Sequence, residues 1–327
     1  MGMLKYALVG NYKRFYQNIK KIAKKEKKSA FFMMIDMSFC TILYGSGLTD
    51  YLNYELYNHS HKERKEYVTI GYATKYHKKV APIEESKCFD IKPTFLKTFK
   101  KYINRDFYLP EDGIKSLEKF LKNHKVFIEK PVVGCAGGGV EKKLSKDIKD
   151  IQEYYEYLKN KNLFLDELII QHKELAKLAP ASVNTIRIMT SAAHNKSRII
   201  YSAIRIGNGV NYRDNFHQGG MSTTVDIDTG KLGKYAYDKD RKEYTIHPVT
   251  KIKFEGHQIP YWEEVKKLCL EAALVNPDIH EVGWDVAITE KGPTFIEGNP
   301  GPGYDLPQIL EKRGLKDLTK SVLKDMK

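Results

Sequence analysis

Two short apolar segments near the C-terminus constrain this chain more than any other feature. Residues 282–289 and 293–297 read as adjacent strands joined by a tight turn at Glu290-Lys291-Gly292. Such a hairpin sets Asp285 roughly opposite Glu297, with Asn299 two residues further on. An Asp and a Glu on neighbouring strands are in most proteins ordinary exposed residues. Here Trp284, Val286, Phe295 and Ile296 flank them, so the carboxylates sit at the edge of a core, where a charge is costly unless paired or metal-bound. Asp285, Glu297 and Asn299 together offer three hard oxygen donors, the kind Mg2+ prefers when phosphates and water fill its remaining positions.

At 327 residues, 42% of them hydrophobic, the chain can build a sizeable core or two to three packed subdomains. Its 55 Lys and Arg against 41 Asp and Glu give a net charge of +14, a field suited to phosphates, anionic glycans or anionic lipid headgroups. No aromatic-basic recognition motif or zinc-ligand spacing accompanies that charge, so nucleic acid is not expected as a partner. Cys40, Cys88, Cys135 and Cys269 are scattered without a CxxC pair and read as reduced thiols rather than a disulfide framework. The N-terminus turns basic and aromatic before an apolar run develops, so no secretory signal is expected. The best apolar stretch, residues 30–43, is too short to span a bilayer and is interrupted by Asp36. A soluble, cytoplasmic protein is the expectation. Lys20, Lys21, Lys24, Lys25, Lys27 and Lys28 form a basic helical segment, for which a solvated face is the simpler reading and peripheral attachment to the inner face of a membrane the other.

Residues 1–90 read as a mostly helical region rich in Tyr and Lys. Two short helices are expected over 93–125, the second opening near Pro110, Glu111 and Asp112. The pattern then alternates. Strands are expected over 126–133 and 163–170, with a helix over 147–160 whose Ile151, Tyr154, Tyr155 and Leu158 share a face. Strands over 185–192, 198–207 and 223–227 follow, then an amphipathic helix over 261–275 built on Trp262, Val265, Leu268, Cys269 and Ala272. That order predicts an α+β protein of antiparallel sheet with helices packed against it, divided as 1–90, 91–180 and 181–327.

Several further motifs carry chemistry. The segment EKPVVGCAGGGV joins a strand bearing Lys130 to a glycine-rich loop, in which backbone amides approach phosphate oxygens without a Cβ clash while the ammonium adds charge. A flexible turn is the simpler reading of the glycines alone. The loop is not a Walker A motif, because Val140 stands where that motif needs Lys. Cys135 reads as a small loop residue rather than a nucleophile. Arg187, on the 185–192 strand, suits two-pronged binding of a phosphate or carboxylate, or a salt bridge to a neighbouring strand. In NFHQGG, paired glycines permit a close approach to a ligand, and His217 has three readings: substrate contact, base or loop cap.

Taken in order, EKPVVGCAGGGV, DELIIQH, VNTIRIMT, NFHQGG, and VGWD followed by FIEGNPGPG resemble the ATP-grasp superfamily, specifically its sugar-transfer-associated branch. The resemblance runs over most of the chain, including YGSGLTDYLNYELYNHSHKER near the N-terminus. It implies an ATP-grasp fold with the nucleotide held between two α+β subdomains. Lys92, in FDIKPTFLKTF, and Lys130 would then hold the ATP phosphates, with Gly137, Gly138 and Gly139 closing over them. Glu167 and the backbone near Ile170 would meet adenine, and Gln171, His172 or Glu174 the ribose. Asp285, Glu297 and Asn299 match the family's Mg2+ ligands, and Arg187 would steady the transferring phosphoryl group. The glycine order of 135–139 departs from the commoner family loops, which affects its detailed contacts and not the strand lysine.

The activity so implied is ATP- and Mg2+-dependent ligation of a carboxylate to an amine through an acyl phosphate. The branch name points to a sugar carboxylate, such as a hexuronic acid of a surface polysaccharide, and a small amine. Two rivals keep the nucleotide site: a kinase acting on a sugar or glycan hydroxyl, and a non-catalytic ATP-binding subunit of a glycan assembly complex.

Overall fold

A computed structural model describes residues 12–133, 138–209 and 219–327, with side chains from residue 15 onward. The chain forms two compact units, one joining Gly301–Lys327 to the residues up to Val80, the other Ala81–Pro300.

The first unit is helical. Helices Tyr12–Lys25 and Ala30–Tyr44 pack through Ile19, Ala23, Met33, Met37 and Cys40. Ser29 caps the second of them, its hydroxyl accepting from the Phe32 N–H at 3.5 Å, and Gly45 ends it in the left-handed region at φ 64°. Asp36 is the one charged residue of that helix. It is held by both prongs of Arg64, at 2.6 and 2.9 Å, and by the Tyr51 hydroxyl at 2.9 Å. Gln308, on helix Asp305–Glu311, ties the returning C-terminal segment in place by accepting from the N–H groups of Val68 (2.7 Å) and Leu315 (3.2 Å).

The second unit contains two antiparallel sheets. The smaller has the order β1-β4-β2-β3, with β1 at Phe107–Tyr108, β2 at Val126–Pro131, β3 at Glu141–Leu144 and β4 at Leu163–Glu167. Helices Ile114–Asn123 and Ile151–Lys161 cover one face, closing a core of Leu117, Phe120, Phe127, Tyr154, Leu158 and Leu165. The larger sheet contains β5 (Thr185–Ala193), β6 (Lys196–Ile206), β7 (Met221–Val225), β8 (Leu232–Asp238), β9 (Glu243–Tyr244), β10 (Glu281–Thr289) and β11 (Gly292–Pro300). Its order is β11-β10-β5-β6-β7-β8-β9. On β10 and β11, Trp284 and Phe295 stack with ring centres 4.6 Å apart. Phe99 meets Trp284 at 5.2 Å, and Phe95 and Phe99 lie 4.8 Å apart. This aromatic layer brings helix Lys92–Thr98 against the hairpin.

The α+β architecture follows the alternation of periodicities. Several boundaries move. The strand expected over 163–170 ends at Glu167, and the chain re-pairs only through a single bridge between Gln171 and Thr289. Gly292 pairs with Thr289 inside the ladder, so the hairpin loop is Glu290-Lys291 alone. The return strand runs on to Pro300 and therefore carries Asn299 within it.

Candidate functional site

Asp285 and Glu297 face each other across β10 and β11, and Gly283 faces Asn299 one pair on. A regular ladder from a two-residue loop would set Ile296 against Asp285 and send Glu297 to the aromatic face. A bulge between Asp285 and Val286 prevents this: Val286 pairs with Phe295, Asp285 with Glu297, and Ile296 is the extra residue. The bulge thus keeps Phe295 with Trp284 and puts both carboxylates on the opposite face. Gly298, between Glu297 and Asn299, is a required glycine. A Cβ there would lie 2.9 Å from Phe89 Cδ1 and 3.0 Å from Phe95 Cε2.

Asp285 is only 2% exposed. Arg187, its partner in register on β5, clamps it through Nε at 2.7 Å and Nη2 at 3.1 Å, the salt bridge to a neighbouring strand foreseen as one of its two readings. A second arginine, Arg205 on β6, contacts the same Oδ1. Burial alone would raise the Asp285 carboxyl. The two guanidinium charges outweigh it and hold the group down at about 2. Glu297 is pushed the other way, by burial of its carboxyl and by the Asp285 charge opposite, although part of its side chain reaches solvent. Asn299 turns its amide N–H groups to Gly283 O at 3.5 Å and Glu297 Oε1 at 3.4 Å. The acid pair is therefore uneven: both guanidinium groups contact Asp285, while Glu297 is held above the ordinary carboxylate range by burial and by the Asp285 charge, which Arg187 and Asn299 only partly offset. Oxygen donors with a deficit of positive charge on the Glu297 side fit a small divalent cation.

On the smaller sheet, Ile128 pairs with Asp166 and Lys130 with Phe164, so Lys130 and Asp166 share a face. The Lys130 ammonium lies 2.5 Å from Asp166 Oδ2. Asp166 is 1% exposed and also receives Arg105, whose Nε and Nη2 lie 2.8 and 3.2 Å from its two oxygens. Burial of Asp166 is outweighed by these two cations, and its pKa is lowered. Arg105 reaches further, donating to Thr294 Oγ1 at 3.2 Å and to the Phe295 carbonyl on β11. A continuous polar chain thus runs from Lys130 through Asp166 and Arg105 to a strand position two residues from Glu297.

Lys92 opens helix Lys92–Thr98, and its N–H donates to Val132 O at 3.3 Å, which brings it beside the end of the Lys130 strand. Gly138 and Gly139 follow, Gly139 with φ 70°. Glu167, at the end of β4, accepts from the Asp106 N–H at 2.8 Å. Ile170 is exposed. His172 is buried: its Nδ1 caps helix Lys173–Leu178 by accepting from Glu174 N–H at 3.2 Å, and its Nε2 lies 3.4 Å from Glu290. The neighbouring Gln171 holds Asn184 and the carbonyls of Ala179 and Ser182. Cys135, Gly137 and His217 lie outside the described residues.

Arg205, Arg105 and Asp166 escaped the sequence reading as site residues. Arg205 had a usable signal: Ile186-Arg187-Ile188 and Ile204-Arg205-Ile206 repeat one tripeptide on paired strands, each placing a single cation on an otherwise apolar stretch. Arg105 had none, since its partners lie 61 and 189 or more residues away.

A family model for sugar-transfer-associated ATP-grasp proteins matches residues 71–324. Comparison with curated proteins finds no match. Among solved structures, the ATP-grasp ligase PsnB complexed with minimal precursor is similar at 15% identity and TM-score 0.44, over 76% of this chain and 64% of that one. N5-carboxyaminoimidazole ribonucleotide synthetase from Thermotoga maritima is similar at 10% identity and TM-score 0.43, over 75% and 51%. D-Alanine-D-alanine ligase from Helicobacter pylori is similar at 14% and TM-score 0.43, over 75% and 63%. The chain spans less than two thirds of the length of each of these three. With the matched family region covering both sheets of the second unit and both ends of the polar chain, the protein belongs to the sugar-transfer-associated ATP-grasp family.

Proposed function

We propose that the protein is an ATP- and Mg2+-dependent ligase joining a carboxylate to an amine. The observation that carries this reading is the bulged register that sets Asp285 against Glu297 beside Arg187 and Arg205. Asp285, Glu297 and Asn299 would hold the metal, which when bound neutralises charge on the transferring phosphoryl group. Lys130 and Lys92 bind the phosphates, with Gly137, Gly138 and Gly139 at the loop that covers them and excludes water. Glu167 and the backbone around Ile170 border the base, and His172 acts on the ribose side by fixing the chain there.

In the reaction, a carboxylate oxygen attacks the γ-phosphorus and the bond to ADP breaks. The amine nitrogen then attacks the acyl carbon, phosphate leaves, and the amine loses its proton. Arg187 and Arg205, held in place by Asp285, present positive charge to the phosphoryl oxygens, and the step needs no covalent protein nucleophile. His217 is taken as a substrate contact or base. The substrate class is a sugar carboxylate such as a hexuronic acid of a surface polysaccharide, with an amino acid or similar small amine. The family's association with sugar transfer supports that choice.

The test is ATP consumption by the full chain against a panel of hexuronic acids and amino acids, with products identified by mass. An amide product with free phosphate, lost in Lys130→Met, is expected. Phosphate retained on the acceptor without an amine would make the protein a kinase. ATP binding with no turnover on any pair would leave a nucleotide-binding subunit.

A further inference from the structure

Helix Ala30–Tyr44 is apolar on two faces, and among the described residues of the first unit only one of them is packed. Met33, Met37 and Cys40 face the core. On the outer side Phe31 (69% exposed), Phe32 (70%), Ile35, Phe39, Ile42 (80%) and Leu43 stand in solvent. Their spacing follows one helical face. An exposed apolar stripe of this extent on one helix marks an interaction surface.

The helix adds little free polarity to that face. Ser38 donates to the helix's own carbonyl of Met34 at 3.0 Å and Thr41 to that of Met37 at 3.1 Å. The helix's only charge, Asp36, is consumed by Arg64 and Tyr51. Helix Tyr12–Lys25 packs against the core side of this helix, and its outer side and the turn after it expose Lys20, Lys21, Lys24, Lys25 and Lys27, the turn leading directly into Phe31 and Phe32. Only Glu26 interrupts that ridge. The stripe lies ahead of the region matched by the family model.

We infer that this face docks on a bilayer surface bearing anionic headgroups, the helix lying in the interface plane with its aromatic and aliphatic side chains inserted and the lysines on the phosphates. An apolar face flanked by a basic ridge is the chemistry of an interfacial helix. At 15 residues the helix is about 22 Å long, and no helix among the described residues is long and apolar enough to cross a membrane. A second copy of the chain fits less well. A symmetric contact through this face would bring together two copies of the Lys24, Lys25 and Lys27 turn that leads into Phe31 and Phe32, with Glu26 as the one acid of that turn.

The experiment uses the full chain with two sets of vesicles, phosphatidylcholine alone and phosphatidylcholine with an equal share of phosphatidylglycerol. Sedimentation is measured at low and at physiological salt, together with the mass of the free protein in solution. The parent chain is expected to bind the anionic vesicles and to bind them less as salt rises. Phe39→Asp combined with Ile42→Asp lowers partitioning about tenfold or more. Lys20→Glu or Lys24→Glu each lowers it at least about fivefold. These side chains are exposed, so the variants keep the parent's melting temperature. As a readout that needs no loss of binding, the emission of Phe39→Trp shifts to the blue on anionic vesicles. No binding to anionic vesicles at low salt would overturn the inference. So would a parent dimer that the Phe39→Asp, Ile42→Asp pair converts to monomer, because the stripe would then be a protein interface.

Discussion

Replacing Asp285 with Asn isolates the electrostatic centre of the site. The substitution keeps the shape and removes the charge that two arginines share. In the folded chain the carboxyl titrates at about 2 against an ordinary 3.8, so the arginines stabilise the ionised form by about 2 kcal/mol after burial is offset. Breaking a buried pair by removing one partner costs more, about 3–5 kcal/mol, because the guanidinium groups keep their burial and lose their anion. Loss of the Asp285 charge also relieves Glu297, which then faces the same arginines and offsets part of the cost. The expected loss is therefore about 2–5 kcal/mol, or about 5–15 °C in melting temperature for a unit of this size. Urea unfolding followed by tryptophan emission is a suitable assay, since Trp284 adjoins Asp285 and stacks on Phe295. Because the folded pKa is depressed, its contribution is fully present above pH 3.8 and is lost as the pH falls through about 2. The gap between parent and variant should thus hold at neutral pH and narrow only in that acid window. A double-mutant cycle with Arg187→Gln should give a coupling of about 2 kcal/mol. An Asp285→Asn chain that melts within about 1 °C of the parent, with zero coupling to Arg187, would refute the clamp as a stabilising unit.

Two further outcomes follow from the same hairpin. Gly298→Ala forces a Cβ to 2.9 Å from the Phe89 ring and 3.0 Å from the Phe95 ring, so it should cost about 1–3 kcal/mol in stability and lower ATP turnover by displacing Glu297 and Asn299, as measured by calorimetry and by coupled ADP release. The Glu297 carboxyl has its pKa raised above an ordinary 4.5 by burial and by Asp285, so its contribution to stability is present below 4.5 and is lost as the pH rises through the raised value. A divalent cation reverses that loss. The melting-temperature gain from Mg2+ should grow as the pH rises through the raised Glu297 value and vanish in Glu297→Gln; a gain independent of pH would place the metal elsewhere.

The hairpin shows what a sequence can and cannot disclose. Two apolar runs around a short loop were enough to pair β10 with β11 and to bring Asp285 near Glu297. The bulge was not legible. In a plain strand Phe295 and Glu297 share a face, so the alternation by itself would bury the acid beside the aromatic layer. Only the demand that Phe295 pack on Trp284 while Glu297 avoid that layer selects the extra residue at Ile296, and that demand is tertiary. The glycine of Glu297-Gly298-Asn299 was visible as a letter, but its cause, helix Lys92–Thr98 pressed against β11, lies about 200 residues away in sequence. His172 shows a role of another kind that the letters did not disclose: its ring caps helix Lys173–Leu178 and meets Glu290, contacts set by where the chain turns after β4.

The two ends of the polar chain differ in their charge balance, and that difference orients a ligand. At the hairpin, two arginines face two carboxylates, so the end is neutral overall but divided, with both cations on Asp285 and Glu297 only partly offset. At the smaller sheet, Arg105 and Lys130 face the single carboxylate of Asp166, leaving one positive charge in excess. Arg105 and Asp166 are almost fully buried, while Lys130 keeps access to solvent. The excess is therefore presented by the lysine and not by the arginine. Arg105 is the structural member, because it reaches from Asp166 on β4 to Thr294 and Phe295 on β11, and it frees Lys130 from having to neutralise Asp166 by itself. A polyanion drawn by the overall +14 charge would meet an available ammonium at one end and a site short of a cation at the other. A nucleotide polyphosphate carrying a divalent ion satisfies both ends at once, whereas a polyphosphate without the ion would meet the Glu297 charge unshielded.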